Sequence, residues 1–305
     1  AADVCDRHAR EKLAMVHEDF GGKVQRVSWG ELQDDANRFA NVLVAHGVEK
    51  GDRVAMLLPP TPHTAAAFFG AWKVGAILLS MSVLYGDEGI RHRLTDAQAK
   101  VLVTNEANAD RIERSLVQHL LILDDQLLSR GGTTFETSDT AADDPAQLYY
   151  SSGTTGLAKG ILHAHRYILA HEEFIYCHDV RENEVFHGMG EWAWAAGICP
   201  LLGPWRMGAV QAVYQRVRHP DRDPSDDVDR RRRNTLPAEV QNRVLGGRAA
   251  QPGGHPLVPG AVRHNGPRLL RADRVLPSVR QLPVHGGPGG LHGQACARVG
   301  GGDPG

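Results

Sequence analysis

Aromatic residues make up only 6% of this 305-residue chain, and cysteine occurs four times. Cys5, Cys177, Cys199 and Cys296 lie far apart and form no CxxC pair. That spacing excludes a zinc ribbon or a disulfide scaffold and fits a reducing cytosol, so a cytoplasmic location is expected. Net charge is nearly absent too, 34 basic against 36 acidic residues giving −2. No global field is there to recruit nucleic acid or an acidic membrane. Long hydrophobic runs are also missing. The longest, Thr64 to Leu84, is interrupted by Lys73 and flanked by Pro59, Pro60 and Pro62. It reads as a buried helix followed by a strand, not as a membrane span. The charged start, Ala1 to Lys12, has no apolar signal-peptide core and no initiator Met, so it reads as trimmed or incomplete.

The sharpest absence is local. After Arg216 the last 89 residues contain no Phe, Trp, Tyr, Ile or Lys, yet they hold 15 of the 34 Gly, 11 of the 17 Pro and 14 Arg. Such a stretch has little apolar surface to set against the entropy of ordering its backbone. The composition therefore predicts a folded region over 1–216 and an irregular tail over 217–305.

Within the folded region, helical and strand patterns alternate from residue 24. Ser28 and Glu31 form a capping box, and Leu32, Ala36, Phe39, Ala40 and Leu43 follow at helical spacing up to Gly47. Strands are expected at Arg53–Leu58, Ala76–Leu79, Lys100–Thr104, Leu120–Leu123 and Gln147–Ser151. Helices are expected at His63–Val74, Asp87–Ala97 and Arg111–His119. A long helix is expected from about Ile161 to Cys177, and a last helix–strand pair over Trp194–Gln215. Near-continuous apolar strands separated by helices predict an α/β fold with layered parallel sheets.

The segment that carries chemistry runs from Leu148 to Gly160 (LYYSSGTTGLAKG). An apolar strand enters a loop with two glycines, four hydroxyl side chains and one lysine, and a helix is expected after it. Gly153 and Gly156 allow tight turns that face amide N–H groups toward an anion. Ser151, Ser152, Thr154 and Thr155 add hydroxyl donors, and Lys159 adds a mobile positive charge. Together they suit a polyphosphate. The loop is not a Walker A sequence, because Gly160 stands where the metal-binding Ser or Thr would follow the lysine.

The string Tyr150 to Gly160 resembles the signature phosphate loop of the adenylate-forming superfamily, which includes acyl-CoA synthetases, peptide-synthetase adenylation domains and luciferases. Asp144-Pro145, Ser28 to Leu43, Gly51 to Leu58 and Leu94 to Thr104 extend the resemblance over most of 20–216. The resemblance implies the N-terminal domain of an acyl-adenylate-forming enzyme, here incomplete. It implies ATP-phosphate binding by Ser151, Ser152, Gly153, Thr154, Thr155, Gly156 and Lys159, with Thr154 and Lys159 catalytic. A carboxylic acid would attack the α-phosphate of ATP, usually with Mg²⁺ present, and coenzyme A would capture the acyl-adenylate. An adenylation domain that loads a carrier protein and a non-catalytic remnant that binds nucleotide remain as alternatives.

The stretch Phe186 to Gly197 (FHGMGEWAWAAG) resembles the acyl-pocket segment of short- and medium-chain acyl-CoA synthetases. Glu191 stands where an Asp is common, and Trp194 matches a family Trp. With Gly188, Gly190 and Ala193, these residues are expected to shape a pocket for a small or medium carboxylic acid, or to pack a domain core. His163, His165, His171 and His178 lack a Cys or carboxylate at ligand spacing, so no metal site is expected and they read as surface histidines. The basic run Arg230–Arg233 falls in the tail and is discounted as a nucleic-acid patch.

The tail itself reads as the back of the same domain, one base out of step, with a genuine disordered linker as the alternative. The family continues with a Gly-Glu-Pro-like turn and Tyr-Gly-x-Thr-Glu, and neither follows Arg216. Leu269 to Val275 written CTA-CTA-CGG-GCT-GAC-CGA-GTN becomes TAC-TAC-GGG-CTG-ACC-GAG, or Tyr-Tyr-Gly-Leu-Thr-Glu. The same shift lets Leu245 to Val258 read Ser-Ala-Gly-Glu-Pro-Leu-Asn-Pro-Glu-Val-Ile-Arg-Trp-Phe. The change of frame is expected between about Arg216 and Leu245.

Overall fold

The computed structural model describes residues 1, 3–151, 157–171, 173–188 and 190–214, so the tail expectation lies outside the described residues. In chain order the elements are β1 (Leu13–Glu18), β2 (Val24–Ser28), α1 (Trp29–Ala45), β3 (Arg53–Leu57), α2 (Pro62–Val74), β4 (Ile77–Met81), α3 (Asp87–Ala97) and β5 (Val101–Thr104). They continue with α4 (Glu106–Ala109), β6 (His119–Ile122), α5 (Asp125–Leu128), β7 (Pro145–Tyr150), β8 (Gly160–Ala164), α6 (Arg166–Leu169), α7 (Glu173–His178), β9 (Val185–Phe186), α8 (Ala195–Arg206) and β10 (Val210–Tyr214).

Local chemistry explains the helix boundaries. Ser28 Oγ accepts the Glu31 N–H at 3.2 Å, and the Glu31 carboxylate accepts the Ser28 N–H at 2.7 Å, closing the capping box of α1. Thr61 caps α2, Pro62 occupies its first turn, and Gly75 ends it at φ 79°, where a β-carbon would be strained.

Six strands form one sheet in the order β6-β5-β3-β4-β7-β8, parallel except for the β7–β8 pair. Its inner strands β5, β3, β4 and β7 bury both faces, as a parallel sheet covered by helices requires, while the edge strands β6 and β8 are largely half-buried. Val54, Met56, Leu78 and Val103 face α1 and α2, whereas Ala55, Leu57, Leu79 and Leu102 face α3. A second sheet has the order β2-β1-β10-β9. There β1 pairs in parallel with β10, so residues 13–18 and 210–214 lie side by side although nearly two hundred positions separate them. Trp205 of α8 sits between the sheets. It meets Trp29 and Phe69 edge-on or tilted at 5.4 and 5.6 Å, and its indole N–H donates to the Ala14 carbonyl at 2.9 Å.

Three expectations are corrected. The long helix over Ile161–Cys177 is not formed. Gly160–Ala164 instead extends the sheet as β8, with Leu148 opposite Leu162 and Tyr150 opposite Gly160. Pairing hides the edge of β7, and Gly160 leaves room beside Leu148, whose Cδ1 would stand 3.2 Å from an added β-carbon. Over Arg111–His119 there is no continuous helix. A turn capped by Asn105 and a 3₁₀ turn at Arg114–Leu116 precede β6, while Arg111 reaches back to the Val83 carbonyl and Asn108. Finally, His165 and His171 are buried and not on the surface, His163 is half-buried, and only His178 of the four is exposed.

Candidate active site

Carboxyl ends of parallel strands are where open α/β sheets place ligands, and the chemistry-bearing segments gather there. At the end of β7, Ser151 donates its N–H to the Lys159 carbonyl at 3.0 Å, and Lys159 donates its N–H to Ser151 Oγ at 3.2 Å. The loop is therefore closed at its base by a pair of strand-like bonds, and it joins two antiparallel strands where a helix had been expected after it. The Lys159 side chain is exposed, and no carboxylate pairs with it among the described residues. Ser152, Gly153, Thr154, Thr155 and Gly156, the other predicted phosphate contacts, lie outside the described residues.

Helix α3 supports this base from the side. His92 Nε2–H donates to the Ala158 carbonyl at 2.7 Å, and Tyr150 donates its hydroxyl to Asp96 at 2.7 Å. Burial, then the Asp96 carboxylate, push the Tyr150 phenol pKa up, so it stays a donor. The Arg93 guanidinium lies 4.0 Å over the Tyr85 ring and 5.4 Å from that of Tyr150.

Tyr85 leads to the second predicted segment, since its ring meets that of Trp194 edge-on at 5.7 Å. One residue turn away, Ser82 donates its hydroxyl to the Glu191 carboxylate, with both oxygens at 2.7 Å. The structure thus brings Glu191 and Trp194 to the end of β4, next to the strand that carries the loop. Trp194 starts α8 and remains 36% exposed, while Trp192 is buried against Phe68 at 6.0 Å.

A cleft of about 280 Å³ opens beside this segment, where the two sheets meet. Its lining includes Pro60, Gly190, Trp192, Pro200, Gln211 and Tyr214, but neither Glu191 nor Trp194. Glycine is required in its wall. A β-carbon on Gly188 would stand 2.5 Å from Pro200 Cβ, and one on Gly190 2.7 Å from the Ala196 carbonyl oxygen. Pro204, having no N–H, leaves the Pro200 carbonyl without its helical donor. Gln211 Nε2 supplies one instead at 2.7 Å.

Sequence reasoning did not single out His92, Arg93, Tyr85 or Ser82. The only local signal was the four-residue spacing of His92 and Asp96 on one face of a charged helix. Among the described residues no group of three or more His, Cys, Asp or Glu side chains converges as a metal cage, and no helix is long and apolar enough to cross a membrane.

Known proteins share both the sequence pattern and the fold. The acetyl-coenzyme A synthetase of Phycomyces blakesleeanus is 30% identical over 250 residues, covering 69% of this chain and 37% of that protein. Its Bacillus subtilis counterpart is 28% identical, covering 70% and 41%. The crystal structure of a Brucella canis acyl-CoA synthetase superposes with a TM-score of 0.65 at 25% identity, over 70% of this chain and 42% of that one. The chain thus spans about two fifths of the length of these relatives. The pattern described as AMP-binding enzyme matches residues 2–240, taking in both sheets, the loop base and the Glu191 segment, and the chain belongs to that family.

Proposed function

We propose that the chain is the front part of an AMP-forming acid–thiol ligase acting on a short- or medium-chain carboxylic acid. A carboxylate oxygen attacks the α-phosphorus of ATP, the bond to the β-phosphate bridging oxygen breaks, and pyrophosphate leaves. The sulfur of coenzyme A then attacks the acyl carbon, and AMP departs. The observation that carries this reading is the closed loop base at the end of β7, with Lys159 exposed, on the strand next to β4, whose end holds Ser82 against Glu191. Negative charge builds on the α-phosphate and on pyrophosphate, and fixed donors plus a cation stabilise it where it develops. In this reading Lys159 and Thr154 are catalytic, and Ser151, Ser152, Gly153, Thr155 and Gly156 hold the phosphates. Glu191 and Trp194 border the acid. A Mg²⁺ ion would be held with the nucleotide phosphate oxygens, as is usual for this cation.

The same proposal takes 1–216 as a partial AMP-binding domain and 217–305 as its out-of-frame continuation in a cytoplasmic enzyme. Nucleotide sequencing across the junction tests the second part; an intact frame that encodes the tail as written would overturn it. ATP–pyrophosphate exchange with acids from acetate to octanoate tests the first. Exchange is expected with at least one acid, falling about 10²–10³-fold in Lys159→Met. Absence of exchange with every acid would leave the chain a nucleotide-binding remnant at most. Exchange without coenzyme A thioester formation would favour a domain that loads a carrier protein.

A further inference from the structure

The peptide unit that joins Ala158 to Lys159 is held at both ends by side chains. Its carbonyl accepts the His92 Nε2–H at 2.7 Å, and its N–H donates to Ser151 Oγ at 3.2 Å. The next carbonyl, that of Lys159, accepts the Ser151 N–H at 3.0 Å. Three hydrogen bonds therefore fix the backbone on both sides of the Lys159 Cα, although the lysine side chain is exposed. Two of the three come from Ser151, at the foot of the loop. The third comes from outside the hairpin, from α3.

Helix α3 is itself well anchored. Ile90 and Leu94 are buried in the core beneath the sheet, Asp96 takes the Tyr150 hydroxyl, and Arg93 lies over Tyr85. The His92 ring is half-buried and meets Tyr150 edge-on at 6.0 Å, which limits its rotation. Only a nitrogen carrying hydrogen can serve a carbonyl, so this contact sets the ring's Nε2–H form.

We propose that His92 is a positioning residue for Lys159: by holding the Ala158 carbonyl, it directs the lysine that the proposed function places on the ATP phosphates. The inference rests on that function for its catalytic consequence, but its structural half stands apart from it. Losing the bond frees one end of the peptide unit, and a net hydrogen bond is worth about a fivefold change in an equilibrium. His92→Gln keeps an N–H donor on a side chain of similar reach, whereas His92→Ala removes it.

Limited trypsin digestion of the full chain reads the backbone directly, since Lys159 is an exposed cleavage point. Cleavage after the exposed Arg181 serves as the internal reference. In His92→Ala the ratio of cleavage after Lys159 to that after Arg181 is expected to rise about fivefold. In His92→Gln it is expected to stay within about twofold of the parent. An unchanged ratio in His92→Ala would overturn the proposal. An equal rise in both variants would assign the effect to ring packing and overturn the hydrogen-bond role. In pyrophosphate exchange, His92→Ala is expected to lose about fivefold in kcat with the KM for the acid unchanged, and His92→Gln to recover it. Should the parent chain show no exchange, the function fails while the digestion ratio still decides the role of His92.

Discussion

Lys73 carries an ammonium group into a helix that is otherwise apolar on nearly every side. Its side chain is 2% exposed, and both oxygens of Asp6 stand 2.6 Å from Nζ. The pair ties the chain start to α2 and explains how a lysine can interrupt the longest apolar run of the sequence. Removing one partner of such a pair leaves a desolvated charge, and that costs more than the pair itself contributes. Asp6→Asn is therefore expected to lower unfolding stability by about 2 kcal/mol, less than for a fully enclosed pair because Asp6 is a third exposed. Lys73→Met removes the buried charge and is expected to stay within about 1 kcal/mol of the parent. Urea titration of both variants checks this. A Lys73→Met loss larger than that of Asp6→Asn would show that the ion pair, not the stranded charge, matters.

At the scale of elements, α1 and α2 approach backbone to backbone at Gly70. A β-carbon there would lie 2.8 Å from the Ala36 carbonyl oxygen and 2.9 Å from Phe39 Cδ1. Two effects compete in Gly70→Ala. Helix propensity favours alanine by about 1 kcal/mol, while overpacking a core costs about 1–3 kcal/mol. The carbonyl cannot swing aside as a side-chain tip could, so overpacking prevails and a net loss of about 1 kcal/mol is expected by denaturant titration. A gain in stability would show that the helices separate freely. This contact was not legible in the sequence, although both helices were: Ser28 and Glu31 announce α1, and Pro62 and Gly75 punctuate α2. What was legible had local causes. The strands RVAML and VLVT are apolar runs bounded by polar turns. By contrast, β1 finds its parallel partner in β10, and no local pattern signals a pairing across the whole unit. Ile161 to Cys177 spaces its apolar residues as a helix would, but pairing with β7 takes the first four for a strand. The site divides the same way. The loop string is contiguous and could be read, whereas Ser82 with Glu191 and His92 with Ala158 are brought together only by the sheet.

For the whole molecule, acid sensitivity follows from how many histidines the fold keeps neutral. His8, His17, His163, His165 and His171 all have pKa values below the usual imidazole range, in each case first because burial disfavours the charged ring. His165 is lowered furthest, to about 4, with Lys50 opposing its protonation and Asp144 favouring it. Its Nε2 is buried with no hydrogen-bond partner among the described residues. The unfolded chain binds that proton near pH 6.5, and the folded chain only near pH 4. Between those values the unfolded state holds more protons, so stability rises with pH and is lost on acidification. For His165 alone the loss reaches about 3 kcal/mol by pH 4. The other four act in the same direction, while Asp35, whose carboxyl pKa burial raises, acts in the opposite one. Unfolding midpoints in urea are therefore expected to fall steadily from about pH 6.5 to pH 4.5, before ordinary carboxylates titrate. His165→Phe keeps a ring of similar volume without the buried nitrogen, and its midpoint is expected to fall less over that window. A variant curve parallel to that of the parent would show that His165 already carries its proton in the folded state, and that the acid sensitivity arises from the other buried rings.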